Sequence, residues 1–216
     1  MKFELGKKRY NDYPTFFKTL FEERVQKLSI DGGFTCPNRD GSKGVGGCSF
    51  CNNESFNPDY CRAVRGITEQ IDEGIRFFAR KYKGQRYLAY FQAYSNTYAP
   101  LDVLKLRYEE ALAHPMISGL VIGTRPDVVS EEVLDYLEKL ARRYYVCVEY
   151  GVESVNDTVL RQVNRGHDFA VAEQTIQATA GRGITIGAHL IFGLPGESRE
   201  SMLEGAIRLC ELPIQV

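Results

Sequence analysis

Apolar positions recur along the chain in two rhythms. Compact apolar runs at 25–30, 87–93, 117–122, 145–150 and 184–192 have the length and residue types of buried strands. Between them the spacing is helical. Ile71, Ile75 and Phe78 share one face of a helix over about 67–82. Leu104, Tyr108 and Leu112 do so over 101–114. Val133, Leu137 and Leu140 do so on a helix that Ser130 can cap and that runs to about 143. Further helices are predicted over 157–163, over 169–182 with a stop at Gly183, and over 198–211. Strands separated by helices imply parallel βαβ units. The expected fold is α/β, with one core domain over 25–216 behind an N-terminal extension of residues 1–24. Residues 212–216 look like the approach to another strand, which a parallel barrel or part-barrel would need. A fold cut short before its sixth strand is therefore expected.

Ligands gather at the carboxyl ends of strands in such folds. Here those ends carry the most polar or glycine-rich sequence: the loop 31–51, then 92–97, 123–127, 151–154 with 164–167, and 193–197. Five loops on one rim would line a single cavity. The first holds Cys36, Cys48 and Cys51 among glycines. Three soft thiolates on a flexible loop suit an iron–sulfur cluster or a soft metal, and with three ligands one iron of a four-iron cluster keeps an open position. Cys48 and Cys51 alone would also suit a redox pair, and Cys36, Cys48, Cys51 and Cys61 together a structural zinc knuckle. Cys61, Cys147 and Cys210 are expected as packed thiols.

Composition narrows the choice. The 216 residues, 44% hydrophobic and 25% charged, are those of one ordinary globular domain. A net charge of −1 gives no general reason for nucleic-acid binding, and the clusters Lys7-Lys8-Arg9 and Arg142-Arg143 read as solvated faces. The start has no apolar signal core and no segment is apolar for long enough to span a membrane, so no membrane role is expected. Six cysteines without such a signal point to a reducing cytoplasm, where clustered thiols bind metal more often than they form disulfides.

From about residue 25 to residue 211 the chain resembles the radical SAM superfamily. The wide first cysteine gap followed by Gly46-Gly47-Cys48-Ser49-Phe50-Cys51 is similar to the YhcC-like bacterial subfamily, related to coproporphyrinogen dehydrogenase and the Elongator catalytic subunit. The stretch from Gly151-Val152-Glu153-Ser154 to Asn164-Arg165-Gly166-His167 and the segment Gly193-Leu194-Pro195-Gly196-Glu197 carry the rest of the likeness. The resemblance implies a (β/α)6-type partial barrel and an oxidoreductase-type enzyme. Cys36, Cys48 and Cys51 would ligate a [4Fe–4S] cluster whose fourth iron S-adenosylmethionine (SAM) chelates. Phe50 would lie against cluster and adenine. Ser95, Asn96 and Thr97 stand where relatives bind the methionine amino group, and Glu153 would face the ribose or methionine. Arg165 would take the methionine carboxylate, His189 would stand at a ribose-binding position, and 193–197 would support the adenine side. Reductive cleavage of SAM would give a 5′-deoxyadenosyl radical that acts on an unidentified substrate, a small molecule or RNA. The electron would come from a donor such as flavodoxin or ferredoxin. The competing reading is a metal- or cluster-binding module without radical catalysis.

Overall fold

The computed structural model describes residue 10 and residues 12–52, 57–80 and 85–216. Five strands form one all-parallel sheet in sequential order: β1 (Arg24–Ile30), β2 (Gln85–Phe91), β3 (Ile117–Thr124), β4 (Tyr145–Glu153) and β5 (Thr185–Leu190). Sequential order without reversal curls the sheet into an open part-barrel. The crossover helices are α2 (Ile67–Ala79), α3 (Leu101–Ala113), α4 (Glu131–Ala141), the short α5 (Asp157–Gln162) and α6 (Phe169–Thr179), with α7 (Arg199–Cys210) after β5. Every predicted strand and helix is present. Pro126–Val128 adds a single 3-10 turn that the periodicity does not signal.

The alternation of each strand separates two faces. Leu28, Ile30, Tyr87, Ala89, Phe91, Leu120, Ile122, Val146, Val148 and Ile186 join the helices in the main core. Leu88, Val121 and Cys147 point to the other, concave face, with Val25, Tyr90 and Tyr145 beside them. That face is covered by a helix that no periodicity signals, α1 (Tyr13–Lys18), whose Phe16 and Phe17 are buried there. Asp12 caps it, accepting from the Thr15 amide at 2.9 Å. At about 1.5–3 kcal/mol for a fully buried phenylalanine, those two rings dock the segment. The residues after α7 do approach a further strand. The Val216 amide donates to Ile186 O at 3.2 Å, and the Ala188 amide donates to Val216 O at 3.0 Å, one rung of a parallel ladder beside β5.

Among the described residues no helix is long and apolar enough to cross a membrane. Of the expected packed thiols, Cys61 and Cys147 are buried and Cys210 is exposed. α7 turns Gly205 and Leu209 inward, so the next residue along points away from the core.

Candidate active site

A cavity of about 510 Å³ opens at the carboxyl ends of the strands and takes residues from the loops after all five. The cysteine loop contributes Cys36, Arg39, Cys48, Phe50 and Cys51; β2 and its loop contribute Tyr90, Gln92, Tyr94 and Ser95. Gly123 lies at the end of β3 and Arg125 just after it, Gly151, Glu153 and Arg165 belong to β4 and its motif, and His189 and Ile191 come from the end of β5.

The cysteine loop is held in place by the 164–166 segment. The buried Asn38 side chain donates to Asn164 O at 2.5 Å and Arg165 O at 3.2 Å, and lies 3.5 Å from Cys48 Sγ. In return Asn164 Nδ2 donates to Gly47 O at 2.9 Å, and the Ser49 amide to Val163 O at 3.0 Å. Cys48 is buried, whereas Cys36 and Cys51 are half-buried. Among the described residues no three His, Cys, Asp or Glu side chains converge on a point that could hold one metal ion. All three loop thiols line the cavity. Cys61 does not line the cavity. It is buried, and desolvation pushes its thiol up to about 12.

Arg165 and Glu153 meet inside the cavity wall. Their side chains are 6% and 12% exposed and 3.6 Å apart, so this is no surface ion pair. Arg165 Nη2 also donates to Gly151 O, Nη1 lies 3.8 Å from Cys48 Sγ, and Nε has no partner. A Cβ at Gly151 would press on Glu153 Oε1 and lie 2.8 Å from Arg165 Nη2, so the glycine leaves the pair room where it stands. Glu153 sits at a register shift of β4 with φ of +71°. Desolvation raises its carboxyl above the usual range against the pull of Arg165. Among the described residues Tyr94, Glu153 and Asn164 are the non-glycine residues with positive φ, and all three belong to this site. Backbone strain collects where the surrounding structure must over-determine a geometry.

The remaining expected residues divide. Ser95 lines the cavity, is 1% exposed, and its hydroxyl has no partner. Asn96 and Thr97 do not line it. Asn96 Nδ2 donates to Gly123 O at 2.7 Å, while the Thr97 hydroxyl bonds Thr124 at 2.7 Å and donates to Val128 O at 3.0 Å. Phe50 lies in the wall against Val159, Val163 and Leu194. Segment 193–197 stays behind that wall, with Ser154 Oγ donating to Glu197 at 2.5 Å. His189 is half-exposed to the cavity and 3.2 Å from Glu149 Oε2, a contact that raises its pKa above the ordinary value. Of the aromatic run, Tyr87 and Phe91 are core, whereas Tyr90 and Tyr94 face the cavity.

Four participants carried no flag in the sequence reading: Asn38, Arg39, Arg125 and Glu149. Glu149 had one available signal, a lone carboxylate inside an otherwise apolar strand. It is buried on the concave face, where Tyr13 and Lys27 both donate to it. Burial alone would raise its pKa, but His189 and Lys27 outweigh that and hold it well below the usual carboxylate range.

The family model described as the radical SAM superfamily matches residues 36–207, a span that runs from the first loop cysteine into α7. The chain belongs to the radical SAM superfamily. It is 44% identical over 192 residues to Escherichia coli YhcC, covering 88% of this chain and 61% of that one. The chain thus spans less than two thirds of the length of this relative. Solved structures place it in the same fold. The archaeal Methanocaldococcus infernus Elp3 superposes with a TM-score of 0.57 at 20% identity, over 84% of this chain and 42% of that one. E. coli coproporphyrinogen III oxidase, a radical SAM enzyme, does so with 0.57 at 18% identity, over 95% and 46%. The likeness to YhcC runs along most of this chain, and the two solved structures share its fold.

Proposed function

We propose that the chain is the catalytic core of a radical SAM enzyme, with Cys36, Cys48 and Cys51 as the ligands of a [4Fe–4S] cluster. One observation carries this reading: the three loop thiols line the same cavity as the buried Arg165–Glu153 pair, and the Asn38 and Asn164 side chains lock the two together. Residues 25–216 form the core and the segment before it supplies α1 as a plug on the concave face. With the cluster and SAM bound, the cofactors supply reductive cleavage of a sulfonium carbon–sulfur bond to a 5′-deoxyadenosyl radical.

The chain's own residues have separate tasks. Arg165 offers a planar fork to the methionine carboxylate. The Ser95 hydroxyl, buried and without a protein partner, suits the polar methionine end. Glu153 accepts from the ribose hydroxyls or the amino group, and His189 stands near the ribose. Phe50, backed by Leu194, excludes water from the adenine side. Asn96 and Thr97 act at one remove, tying the loop after β2 to β3. The substrate is a small molecule or RNA, and a flavodoxin or ferredoxin is the electron donor.

The test is anaerobic purification followed by iron analysis and SAM calorimetry. The protein is expected to be brown with about four irons per chain. Replacing Cys36, Cys48 or Cys51 by Ala should abolish the iron, whereas Cys61→Ser, Cys147→Ser and Cys210→Ser should keep it. Stoichiometric zinc without iron, or iron loss in Cys61→Ser equal to that in Cys51→Ala, would overturn the assignment.

A further inference from the structure

Each of the three loop sulfurs has its own arginine, delivered by a different segment. Arg39, from the cysteine loop, places Nη2 at 3.5 Å from Cys51 Sγ while donating to Cys51 O at 3.3 Å. Arg125, after β3, reaches Cys36 Sγ at 3.9 Å, and Arg165, after α5, reaches Cys48 Sγ at 3.8 Å. None of these placements is incidental to the fold. The Arg39 guanidinium lies 5.6 Å from the Tyr94 ring centroid, and a Cβ at Gly47 would stand 3.0 Å from its Nε, so the positive-φ glycine there leaves it room. Arg125 is 2% exposed and is oriented by both oxygens of Asp127, at 2.9 and 2.8 Å. Asp127 is contacted in turn by Lys43 at 2.5 Å. Arg165 is locked by Gly151 and Glu153 as described.

We propose that Arg39, Arg125 and Arg165 form a charge cage, one guanidinium per thiolate, that sets the reduction potential of the cluster. The proposal rests on the cluster reading above. A thiolate-ligated cluster is negatively charged, and its one-electron reduction by an external donor adds a further negative charge. Fixed cations beside the sulfurs stabilise the reduced form more than the oxidised form and raise the potential. The cage also explains why a loop with three thiolates is surrounded by guanidinium rather than ammonium groups: planar forks reach a sulfur while keeping their other hydrogen bonds.

The experiment is dye-mediated potentiometry of the reconstituted cluster, followed by the electron paramagnetic resonance of its reduced state, without SAM. Omitting SAM separates this effect from the binding role of Arg165. Arg39→Gln and Arg165→Gln should each lower the reduced-to-oxidised ratio at a fixed potential by about tenfold, equivalent to about 59 mV for one electron. Arg39→Lys and Arg165→Lys, which keep the charge, should recover most of that. Iron loss in the Gln variants with retention in the Lys variants would overturn it as well, since the charges would then act on assembly and not on the potential. Unchanged potentials in iron-loaded Gln variants would overturn it, as would iron loss in Gln and Lys variants alike, which would make the arginines purely structural. A wild-type chain that takes up no iron would sink the cluster assignment itself, a result distinct from either.

Discussion

At the scale of single residues, Arg165 is the side chain on which most of the site turns. It is buried, it faces Glu153 and Gly151, and one of its guanidinium nitrogens has no partner. Arg165→Ala should keep the cluster but weaken SAM binding by about 1.5–3 kcal/mol, the value of a hydrogen bond to a charged group. Arg165→Lys should recover little of that affinity, because an ammonium cannot reproduce the fork. Calorimetry on anaerobic, cluster-loaded protein decides, and unchanged affinity in Arg165→Ala would refute the placement of this arginine over the cofactor. The loop cysteines stood out in the sequence by their spacing, and Arg165 through the resemblance of the 151–167 stretch to the radical SAM superfamily. Asn38, Arg39 and Arg125 were not. They lie in irregular loops, where no periodicity marks a side chain, and their partners are distant in sequence: Asn38 meets Asn164 across 126 positions.

At the scale of elements, the sequence revealed every strand and crossover helix, the six-residue α5 included. It failed on α1, a six-residue helix whose two phenylalanines give no period of their own. Their burial depends on the concave face of the sheet, and that face exists only after five strands have assembled. α1 also delivers Tyr13 to Glu149, tying the plug to the floor of the cavity. Phe17→Ala should lower stability by about 3–5 kcal/mol, the cost of truncating a buried phenylalanine. Tyr13→Phe should cost about 1.5–3 kcal/mol by removing a hydrogen bond to a charged group. Denaturant unfolding measures both. A Phe17→Ala variant as stable as the wild type would mean that α1 is not docked on the sheet.

At the scale of the whole molecule, two groups beside the cysteine loop contribute to the response to acid, alongside the buried Glu149. Desolvation and the nearby Arg165 charge lower the His167 pKa from 6.5 to about 4. The unfolded chain therefore binds that proton first, and stability falls as pH drops from about 6.5 to about 4. Burial works against ionising Asp127, yet hydrogen bonds from Arg125 and Lys43 prevail and bring its pKa from 3.8 to about 2. Its contribution, on the order of 2 kcal/mol, is complete above 3.8 and is lost as pH falls toward about 2. Urea midpoints followed down the pH scale should show both windows. His167→Gln should weaken the upper one and Asp127→Asn the lower, in which Glu149 also takes part; acid sensitivity identical to wild type in both variants would contradict this account. The part-barrel and the convergence of five strand-end loops on one cavity were both expected from the alternation of strands and helices, whereas the contacts that tie Asn38 to Asn164 needed the assembled fold to be seen. Whether that cavity performs radical chemistry is tested most directly by one measurement: 5′-deoxyadenosine formed when the anaerobic, cluster-loaded chain is mixed with SAM and a strong reductant. The account predicts product that requires the reductant and disappears in Cys36→Ala, Cys48→Ala and Cys51→Ala. A chain that holds its cluster and binds SAM but releases no 5′-deoxyadenosine would contradict it and leave a cluster-binding module in its place.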